Sequence, residues 1–382
     1  MSSEPRTPDR SVAAAWPRWA DRLSDRSGRG VVEGGLRTMG YLKRGTPHEP
    51  LVTYVTVVRN NAATLHRAIE SVQSQTYSAV EHVVLDGAST DQTLDVIRRD
   101  ADRLDYFASE PDHGLYDALN KAIPLARGDL ICVLNSDDWL EPTAAETAVR
   151  VVNVVTAPSI VLTGAYARQG EDGDEEPPVV IEWYPAVVHA GSYFTCADDC
   201  HNGIYATRSA YERSGPYDTS YEIAADFKWL MSCFEAGVDF IYSRDITVNY
   251  VLGGASSDAE KHGTECVRVI RERFPSLSPD EAGALYHSFF AFPTFPSVPG
   301  RPTNRVDFLR GLLTRHSGLL ELSAAVGWAL LADTDRPRDS IGEPADAPPV
   351  DCTDTDESEP SVRARSRAHR IARRLYASAR RA

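Results

Sequence analysis

The sequence predicts an α/β protein built on a mostly parallel β-sheet with helices on its faces. Two observations indicate this fold class. Between residues 51 and 135, short apolar runs of strand length alternate with longer stretches that have the character of helices. At three of the four strand ends the chain changes abruptly to polar residues, and ligands of parallel sheets bind beyond those ends.

Four runs of residues predict the strands of the first half. They are LVTYVTVV from residue 51, VEHVVLDG from residue 80, LDYFASE from residue 104 and DLICVLN from residue 129. AATLHRAIESVQSQ has the apolar spacing of a helix, STDQTLDVIRRDADR begins with helix-capping residues, and YDALNKAIPLAR is a helix that Gly128 closes. Strands and helices that alternate at this spacing form a parallel sheet.

The second half is less regular. SIVLTGAYARQ is typical of a strand, CHNGIYATRSAYERSG of a strand followed by a short helix, and EIAADFKWLMSCFEAG of an amphipathic helix that ends at Gly237. VDFIYSRDITVNYVLGG predicts either two strands or one long bent strand. AEKHGTECVRVIRERF predicts a further helix.

The chain divides into five predicted segments. They are a flexible N-terminal arm at 1–48, an α/β domain at 49–275, a helical extension at 276–332, a disordered acidic linker at 333–360 and a basic C-terminal tail at 361–382. The linker holds ten Asp or Glu residues against two Arg and has five Pro, a composition that cannot bury a core.

Charge and hydropathy narrow the class of protein. The net charge of −15 argues against a nucleic-acid partner, because neutralising phosphates needs a basic face. No apolar run approaches the roughly 20 residues that span a bilayer, and the sequence predicts a cytoplasmic location. The tail holds eight Arg residues with apolar residues at helical spacing. Two readings stay open: a helix bound peripherally to the inner face of the membrane, or a disordered end that folds back on the acidic linker.

The stretch VLNSDDWL raises a question of charge. Asp137 and Asp138 are adjacent and directly follow an apolar strand, so their carboxylates repel each other unless a positive charge lies beside them. A solvated turn is one explanation. However, three polar strand ends of one sheet can converge on one ligand, and this favours a bound cation.

Several ordered motifs together resemble family 2 glycosyltransferases of the GT-A fold, a Rossmann-like arrangement. They are VTVVRNNAATLHRAIESVQSQTY, EHVVLDGASTDQT, SEPDHGLYDALNKAIPLARGDLICVLNSDDWL, CHNGIYATRSAYERSGPYDTSYEIAADFKWLM and YVLGGASS. The resemblance covers roughly residues 50 to 258. It is strongest to the bacterial and archaeal members that build surface polysaccharides or glycans. It implies a metal-dependent, inverting transferase that moves a sugar from a nucleotide sugar, most commonly a UDP-sugar, to a hydroxyl of a glycan, lipid-linked or small-molecule acceptor.

The resemblance also implies roles for individual residues. Asp86 matches the acid that holds the nucleotide base, and Asn60 lies in the loop that touches the nucleotide. The loop under the sugar nucleotide is matched by Asp112 and Gly114, with Asn120 and Lys121 as its extension. His201 matches a position that lines the donor and acceptor pocket.

The resemblance also implies which residues bind the metal and which residue acts as the base. Asn135 to Asp138 occupy the place of the family's acidic motif, with Asp138 as the expected main ligand of Mn2+ or Mg2+ and Asp137 directed at the metal or the ribose. Oxygen ligands suit such hard cations. Asn135 departs from the Asp that many relatives have, and an amide brings less negative charge. Asp226 matches the catalytic base, which inversion requires on the acceptor side.

Two other functions were weighed against this one. A nucleotidyltransferase also has an acidic metal site on an α/β sheet, but it usually has a glycine-rich basic loop near its first strand, and VVRNNAATL is not one. A non-catalytic sugar-nucleotide-binding protein would not need the acids at 138 and 226. Asn135 leaves that alternative open.

Overall fold

The computed structural model describes residues 31–152, 157–169, 179–183, 201–254, 258–289 and 305–317. The predicted acidic linker and basic tail lie outside the described residues, as do residues 1–30 of the predicted arm. Within the described part, no helix is both long and apolar enough to cross a membrane.

The strands are short in the first half of the chain and longer in the second. They are β1 (Val32–Gly34), β2 (Val52–Val58), β3 (Val80–Asp86), β4 (Tyr106–Ser109), β5 (Leu130–Val133), β6 (Trp139–Leu140), β7 (Ser159–Gln169), β8 (Val179–Trp183), β9 (Ile204–Thr207) and β10 (Asp239–Val251).

The helices lie between and after the strands. They are α1 (Leu65–Gln73), α2 (Thr93–Arg99), α3 (Leu115–Ala122), α4 (Ala144–Val152), α5 (Arg208–Ser214), α6 (Ala225–Ala236), α7 (Ala259–Arg273), α8 (Pro279–Phe289) and α9 (Arg305–Arg315). Single turns of 3-10 helix occur at Leu36–Met39, Ile123–Leu125 and His201–Gly203.

One mixed sheet joins the described strands in the order β1-β4-β3-β2-β5-β9-β7-β10-β6, with β8 paired to β7. β4, β3, β2 and β5 are mutually parallel, which confirms the α/β prediction for the first half. β9 is antiparallel to both β5 and β7, whereas β10 is parallel to β7. β10 is a single strand with two register shifts, so the long bent strand is the correct alternative.

Apolar residues cover both faces of the sheet. On one face, residues of β2 and β3 such as Val55 and Leu85 pack in a cluster with buried residues of α3, α6 and α7, including Leu119 and Leu230. On the other face, Tyr54 and Cys132 pack with α1 and α4. The strands of the parallel block are therefore buried on both sides, which explains why they read as nearly continuous apolar runs.

The end of the predicted flexible arm is part of this fold. β1 pairs antiparallel with β4, and the 3-10 turn that follows it hydrogen-bonds Leu36 and Arg37 to the backbone of Leu104 and Asp105. Arg37 also donates from Nη1 to the carbonyl of Leu125 (2.6 Å). Sequence reasoning missed this segment because a three-residue edge strand has no periodicity long enough to detect.

Candidate active site

The candidate site lies at the edge of the sheet where β2 to β5 end. These four strands are parallel, so their carboxyl ends share that edge. β9 is antiparallel to β5, so its beginning lies there too. β7 is antiparallel to β9 and β10 is parallel to β7, which brings the end of β10 to the same edge. The fold therefore gathers the polar residues of both halves of the chain.

Asp86 is the last residue of β3 and is fully buried. One of its carboxylate oxygens accepts from the Ser109 hydroxyl (2.6 Å), at the end of the neighbouring strand. The other accepts from the Ser89 hydroxyl (2.5 Å), and the Ser89 amide lies 3.2 and 3.3 Å from the two oxygens. Asp86 thus fixes the turn after β3 to the end of β4.

Asn60 follows β2 in a left-handed conformation, with φ of 53°. Its side-chain oxygen accepts from the Thr90 amide (2.8 Å), while its own amide donates to the Ser89 hydroxyl (2.7 Å). The next residue, Asn61, donates from Nδ2 to the Ser136 hydroxyl (2.9 Å). The turns after β2, β3 and β5 are therefore one hydrogen-bonded unit.

Asp112 lies directly against the turn after β3. A Cβ added to Gly87 would lie 2.1 Å from Oδ2 of Asp112, so this close approach requires glycine. Oδ1 of Asp112 accepts from the amide of Gly114 (3.0 Å), which has φ of 119° and precedes α3. The loop predicted to lie under the donor is thus placed beside Asp86 and its turn.

Lys121 contacts the start of this loop, and Asn120 contacts the backbone of Tyr217. The ammonium of Lys121 donates to the carbonyl of Pro111 (2.9 Å) and pairs with Asp117 (2.7 Å). The Asn120 side chain donates to the carbonyl of Tyr217 (2.8 Å) and accepts from its amide (2.9 Å). In this structure, both residues hold protein segments in place.

Asp138 is the most enclosed acid of the motif, with 1% of its surface exposed. Oδ1 accepts from the amide of Val251 (2.7 Å), and Oδ2 accepts from the side-chain amides of Asn202 (2.5 Å) and Asn135 (3.3 Å). Burial raises the pKa of Asp138 well above its ordinary value, and the charge of Asp137 raises it further, against these hydrogen bonds. The carboxylate connects β5, the start of β9 and the end of β10.

Asp137 is only partly buried. Burial raises the pKa of its carboxyl, and the nearby charge of Arg67 opposes this rise. The Arg67 guanidinium donates to the Asp137 carbonyl (2.9 Å), and a Cβ on Gly254 would lie 3.7 Å from Oδ2 of Asp137. Asp137, more than Asp138, therefore presents a carboxylate that an incoming cation can reach.

Two arginines flank the tryptophan that follows the acidic pair. The guanidinium carbon of Arg67 lies 4.0 Å from the ring centroid of Trp139, and that of Arg168 lies 5.1 Å from it. Arg168 also donates from Nε to the side chain of Asn249 (2.6 Å) on β10. These stacked groups bring positive charge close to the acidic motif and fix β6 below it.

Asp226 lies in the first turn of α6, where the helix dipole favours a carboxylate. Its side chain is 27% exposed, and Oδ2 lies 3.9 Å from Nδ1 of His201. The hydroxyl of Tyr116 lies 3.1 Å from Oδ1 of Asp226 and donates to the carbonyl of Ile223. Because Tyr116 is in the first turn of α3, it links Asp226 to the Gly114 loop.

His201 begins the 3-10 turn before β9 and is largely enclosed. Burial lowers the pKa of its imidazole, and the charge of Asp226 acts in the opposite direction. The ring is therefore neutral near pH 7, and its Nε2 lies 3.0 Å from the hydroxyl of Tyr217. The structure thus places His201 between Asp226 and Tyr217.

The carboxylates of the acidic motif are candidate ligands for a divalent cation. Among the described residues, no group of three or more His, Cys, Asp or Glu side chains is placed to hold a metal ion. Mg2+ commonly uses only one or two carboxylates and takes its remaining ligands from substrate phosphates and water. The partly exposed carboxylate of Asp137 fits that kind of site, next to the enclosed carboxylate of Asp138. Burial raises the pKa of both carboxyls.

Three supporting residues of the site escaped sequence reasoning. Asn202 bonds Asp138, Tyr116 bonds Asp226, and Arg67 bonds the Asp137 carbonyl. Asn202 directly follows His201, and Tyr116 directly follows the Gly114 loop, so adjacency to motif residues was their only signal. Arg67 is one of several arginines on predicted helices, and nothing in the sequence distinguishes it.

The chain is similar to known proteins over much of this region. Residues 53–207 match the family model described as glycosyl transferase family 2. A PGL/p-HBAD biosynthesis glycosyltransferase of Mycobacterium bovis is 28% identical over 200 residues, which cover 48% of this chain and 70% of that protein. Chondroitin synthase of Escherichia coli is 27% identical over 215 residues, which cover 56% of this chain and only 30% of the synthase.

Solved structures give more distant likenesses. S. aureus TarS in complex with UDP-GlcNAc aligns with a TM-score of 0.49 at 14% identity and covers 87% of this chain and 92% of that one. The mannosyltransferase PcManGT from Pyrobaculum calidifontis, in complex with GDP-Man and Mn2+, aligns with a TM-score of 0.48 at 16% identity and covers 90% of this chain and 91% of that one.

Proposed function

We propose that this chain, whose residues 53–207 match the model described as glycosyl transferase family 2, is a glycosyltransferase that moves a sugar from a nucleotide-sugar donor to an acceptor hydroxyl with inversion at the sugar carbon. The proposed cofactor is Mn2+ or Mg2+, and the proposed acceptor is a glycan, a lipid-linked glycan or a small molecule. UDP is the nucleotide to test first, beside GDP and dTDP.

One observation carries the proposal. Asp137 and Asp226 come from distant parts of the chain, yet they lie at one sheet edge. Hydrogen bonds join the turn after β2 to the turn after β3 and to the acidic motif, and Tyr116 joins the Gly114 loop to Asp226. Gly87, in the turn after β3, lies against Asp112 of the Gly114 loop. In this proposal, Asp137 would face the diphosphate at the strand ends, and Asp226 would face the acceptor from the start of α6. A leaving group and an attacking hydroxyl need separate groups of this kind.

The surroundings of Asp226 and Asp137 support a different chemical role for each. Asp226 would accept the proton of the acceptor hydroxyl as its oxygen bonds to the sugar carbon and the bond from that carbon to the diphosphate breaks. The Tyr116 hydroxyl lies beside Oδ1 of the Asp226 carboxylate and the His201 ring lies near Oδ2, so the two side chains flank the carboxylate. Asp137 would hold the cation, which neutralises the charge that develops on the departing diphosphate.

Asp86, Asn60 and Asp112 form the proposed seat for the nucleotide. Ser89 and Thr90 cross-link the turns of Asp86 and Asn60, and Asp112 lies against Gly87 of the same turn, so these three residues are already together in the absence of the donor. A preformed site loses less conformational entropy on binding.

Asp226→Asn tests this function because it preserves shape and removes the proton acceptor. We expect turnover to fall by about 10²- to 10⁴-fold, the range of general-base catalysis, while the Kd for the nucleotide sugar with Mn2+ changes little. Turnover is measured by release of the nucleoside diphosphate in the presence of acceptor, and Kd by calorimetry.

Asp137→Asn is the matched variant at the other end of the site. It should weaken metal-dependent binding of the nucleoside diphosphate and leave metal-free binding unchanged. If Asp226→Asn turned over at a near-normal rate, the base would have to be another residue. If neither variant nor the unchanged protein released nucleotide from any donor, the chain would act as a binding protein.

A further inference from the structure

The loop that leads into Asp226 is held by a carboxylate from another helix. Glu265, in the middle of α7, accepts hydrogen bonds from three consecutive backbone amides, those of Glu222 (2.9 Å), Ile223 (2.8 Å) and Ala224 (2.9 Å). These amides lie directly before α6, whose first turn carries Asp226. A helix has unpaired amides at its start, and here one side chain serves the segment that enters the helix.

The carboxylate is well suited to this position. Burial raises the pKa of Glu265, but the bonds from the three amides, with the charge of Lys261, lower it, and the net result is a pKa below the ordinary value of 4.5. Glu265 is therefore ionised at neutral pH. Hydrogen bonds to an ionised group are stronger than neutral ones, so the charge itself contributes to holding the loop.

Other residues of α7 grip the same loop. Lys261 pairs with Glu222. The Arg268 guanidinium donates to the carbonyl of Ser220 (3.1 Å) and to its hydroxyl (2.8 Å), and it lies 4.1 Å from the ring centroid of Tyr221. Glu265 differs from these contacts in that it accepts from the consecutive backbone amides that lead into α6.

The loop in turn fixes the Asp226 carboxylate. The carbonyl of Ile223 accepts from the hydroxyl of Tyr116, which also lies 3.1 Å from Oδ1 of Asp226. The same residue thus donates its amide to Glu265 and accepts through its carbonyl from Tyr116. A shift of this loop would move the helix start and the Tyr116 contact together.

We infer that Glu265 is a positioning residue for Asp226, which sets the place of the base relative to the acceptor hydroxyl. This inference rests on the proposed role of Asp226. Both Asp226 and Glu265 lie beyond residues 53–207, so the base and its support come from a part of the chain that follows the family match. Misplacing a reacting group by about 1 Å can cost roughly 10²-fold in rate.

Glu265→Gln tests the inference with little loss of volume. The variant loses the charge and presents an NH2 group to at least one of the three amides. We expect kcat to fall by about 10- to 100-fold, with the donor KM and the Kd for the nucleoside diphosphate with Mn2+ within about twofold of their starting values. Glu265→Asp, which keeps the charge but is shorter, should fall between Gln and the unchanged protein.

Two comparisons separate positioning from general support. Glu260→Gln alters an exposed carboxylate in the first turn of the same helix, which among the described residues makes no hydrogen bond or ion pair with the loop before α6, and its kcat should stay within about twofold. In a background of Asp226→Asn, adding Glu265→Gln should lower kcat no further, because a residue that acts through the base has no effect once the base is gone.

The outcomes are distinct. Additive losses in the double variant, or a fall in nucleotide affinity and Tm that parallels the fall in kcat, would overturn the role of Glu265. A similar loss of kcat in Glu260→Gln would also overturn it. Failure of the proposed function would show separately, as near-normal turnover in Asp226→Asn alone.

Discussion

At the scale of single residues, adjacent acids of one motif have different surroundings. Asp138 is enclosed and accepts three hydrogen bonds from three parts of the chain, whereas Asp137 is partly exposed and faces the turn after β10. The resemblance implied Asp138 as the main metal ligand, because Asn135 stands where many relatives have Asp. The burial of Asp138 favours Asp137 instead in our proposal, and that burial depends on Asn202 and Val251, which lie far away in the sequence.

The pair predicts a separation between stability and binding. Asp138→Ala leaves the Val251 amide and the buried Asn202 side chain without their acceptor, which should lower the free energy of unfolding by about 1 to 3 kcal/mol. Asp137→Ala should change it by much less and should abolish the dependence of nucleotide affinity on Mn2+. Denaturant unfolding and calorimetry of both variants measure the two effects.

The same carboxylate predicts a pH dependence. The folded-state pKa of Asp138 is raised, so the folded state binds this proton more tightly than the unfolded state. Protonation of Asp138 therefore stabilises the folded state below the ordinary carboxyl pKa. This stabilisation is lost as the pH rises from there through the raised pKa. Asp138→Asn should remove that slope from a plot of unfolding free energy against pH, measured without divalent cations. A slope unchanged in this variant would assign the effect to another group.

At the scale of elements, the site lies where strands end and helices begin, and turns make most of its connections. The turns after β2, β3 and β5 bond one another through Asn60, Asn61 and Ser89, and Gly87 lets the Asp112 loop approach. The strand positions in the parallel block followed from apolar runs, because a strand buried on both faces has a plain sequence signal. The bonds among the turns have no such periodicity, so the sequence located the turns but not their connections.

Gly87→Ala tests the importance of that close approach. The added Cβ would meet the end of the Asp112 side chain, which can rotate away, so the fold should lose little stability. Asp112 would be displaced from the donor loop, and we expect the Kd for the nucleoside diphosphate to rise by about tenfold, which is roughly 1.4 kcal/mol. Gly283→Ala on α8, where an added Cβ meets nothing within 4 Å, is the control and should bind normally. Equal affinities in the two variants would mean that the loop does not shape the donor site.

At the scale of the whole molecule, elements far apart in sequence complete the sheet. β1 pairs with β4, and Arg37 forms a buried ion pair with Glu81 on β3. The sequence analysis assigned this segment to a flexible arm. Glu81, the buried partner of Arg37, lies on a strand of mostly apolar residues, and nothing in that run indicates a partner in the arm. β6 and β8 were missed for a similar reason, since strands of two and five residues acquire their identity only from β10 and β7.

Arg37→Ala tests whether the arm supports the fold. Arg37 and Glu81 are 10% and 0% exposed at their side chains, so the variant leaves a buried carboxylate without its counter-ion. We expect the free energy of unfolding to fall by about 3 to 5 kcal/mol, and Glu81→Gln in the same background should recover part of it. Arg98→Ala, which removes an exposed pair with Asp95, should cost at most about 1 kcal/mol. Equal losses in the two arginine variants would show that the first pair is no more than a surface contact.

The contact between Asp138 and Val251 also has a consequence in time. The two residues are 113 positions apart, and β6 pairs with the end of β10 just before Val251. A ribosome that adds about 5 to 20 residues per second needs roughly 6 to 23 seconds to make that stretch. Throughout this interval Asp138 lacks the amide that its Oδ1 accepts from in the folded protein. The acidic motif therefore reaches its final surroundings only after the end of β10 has been synthesised.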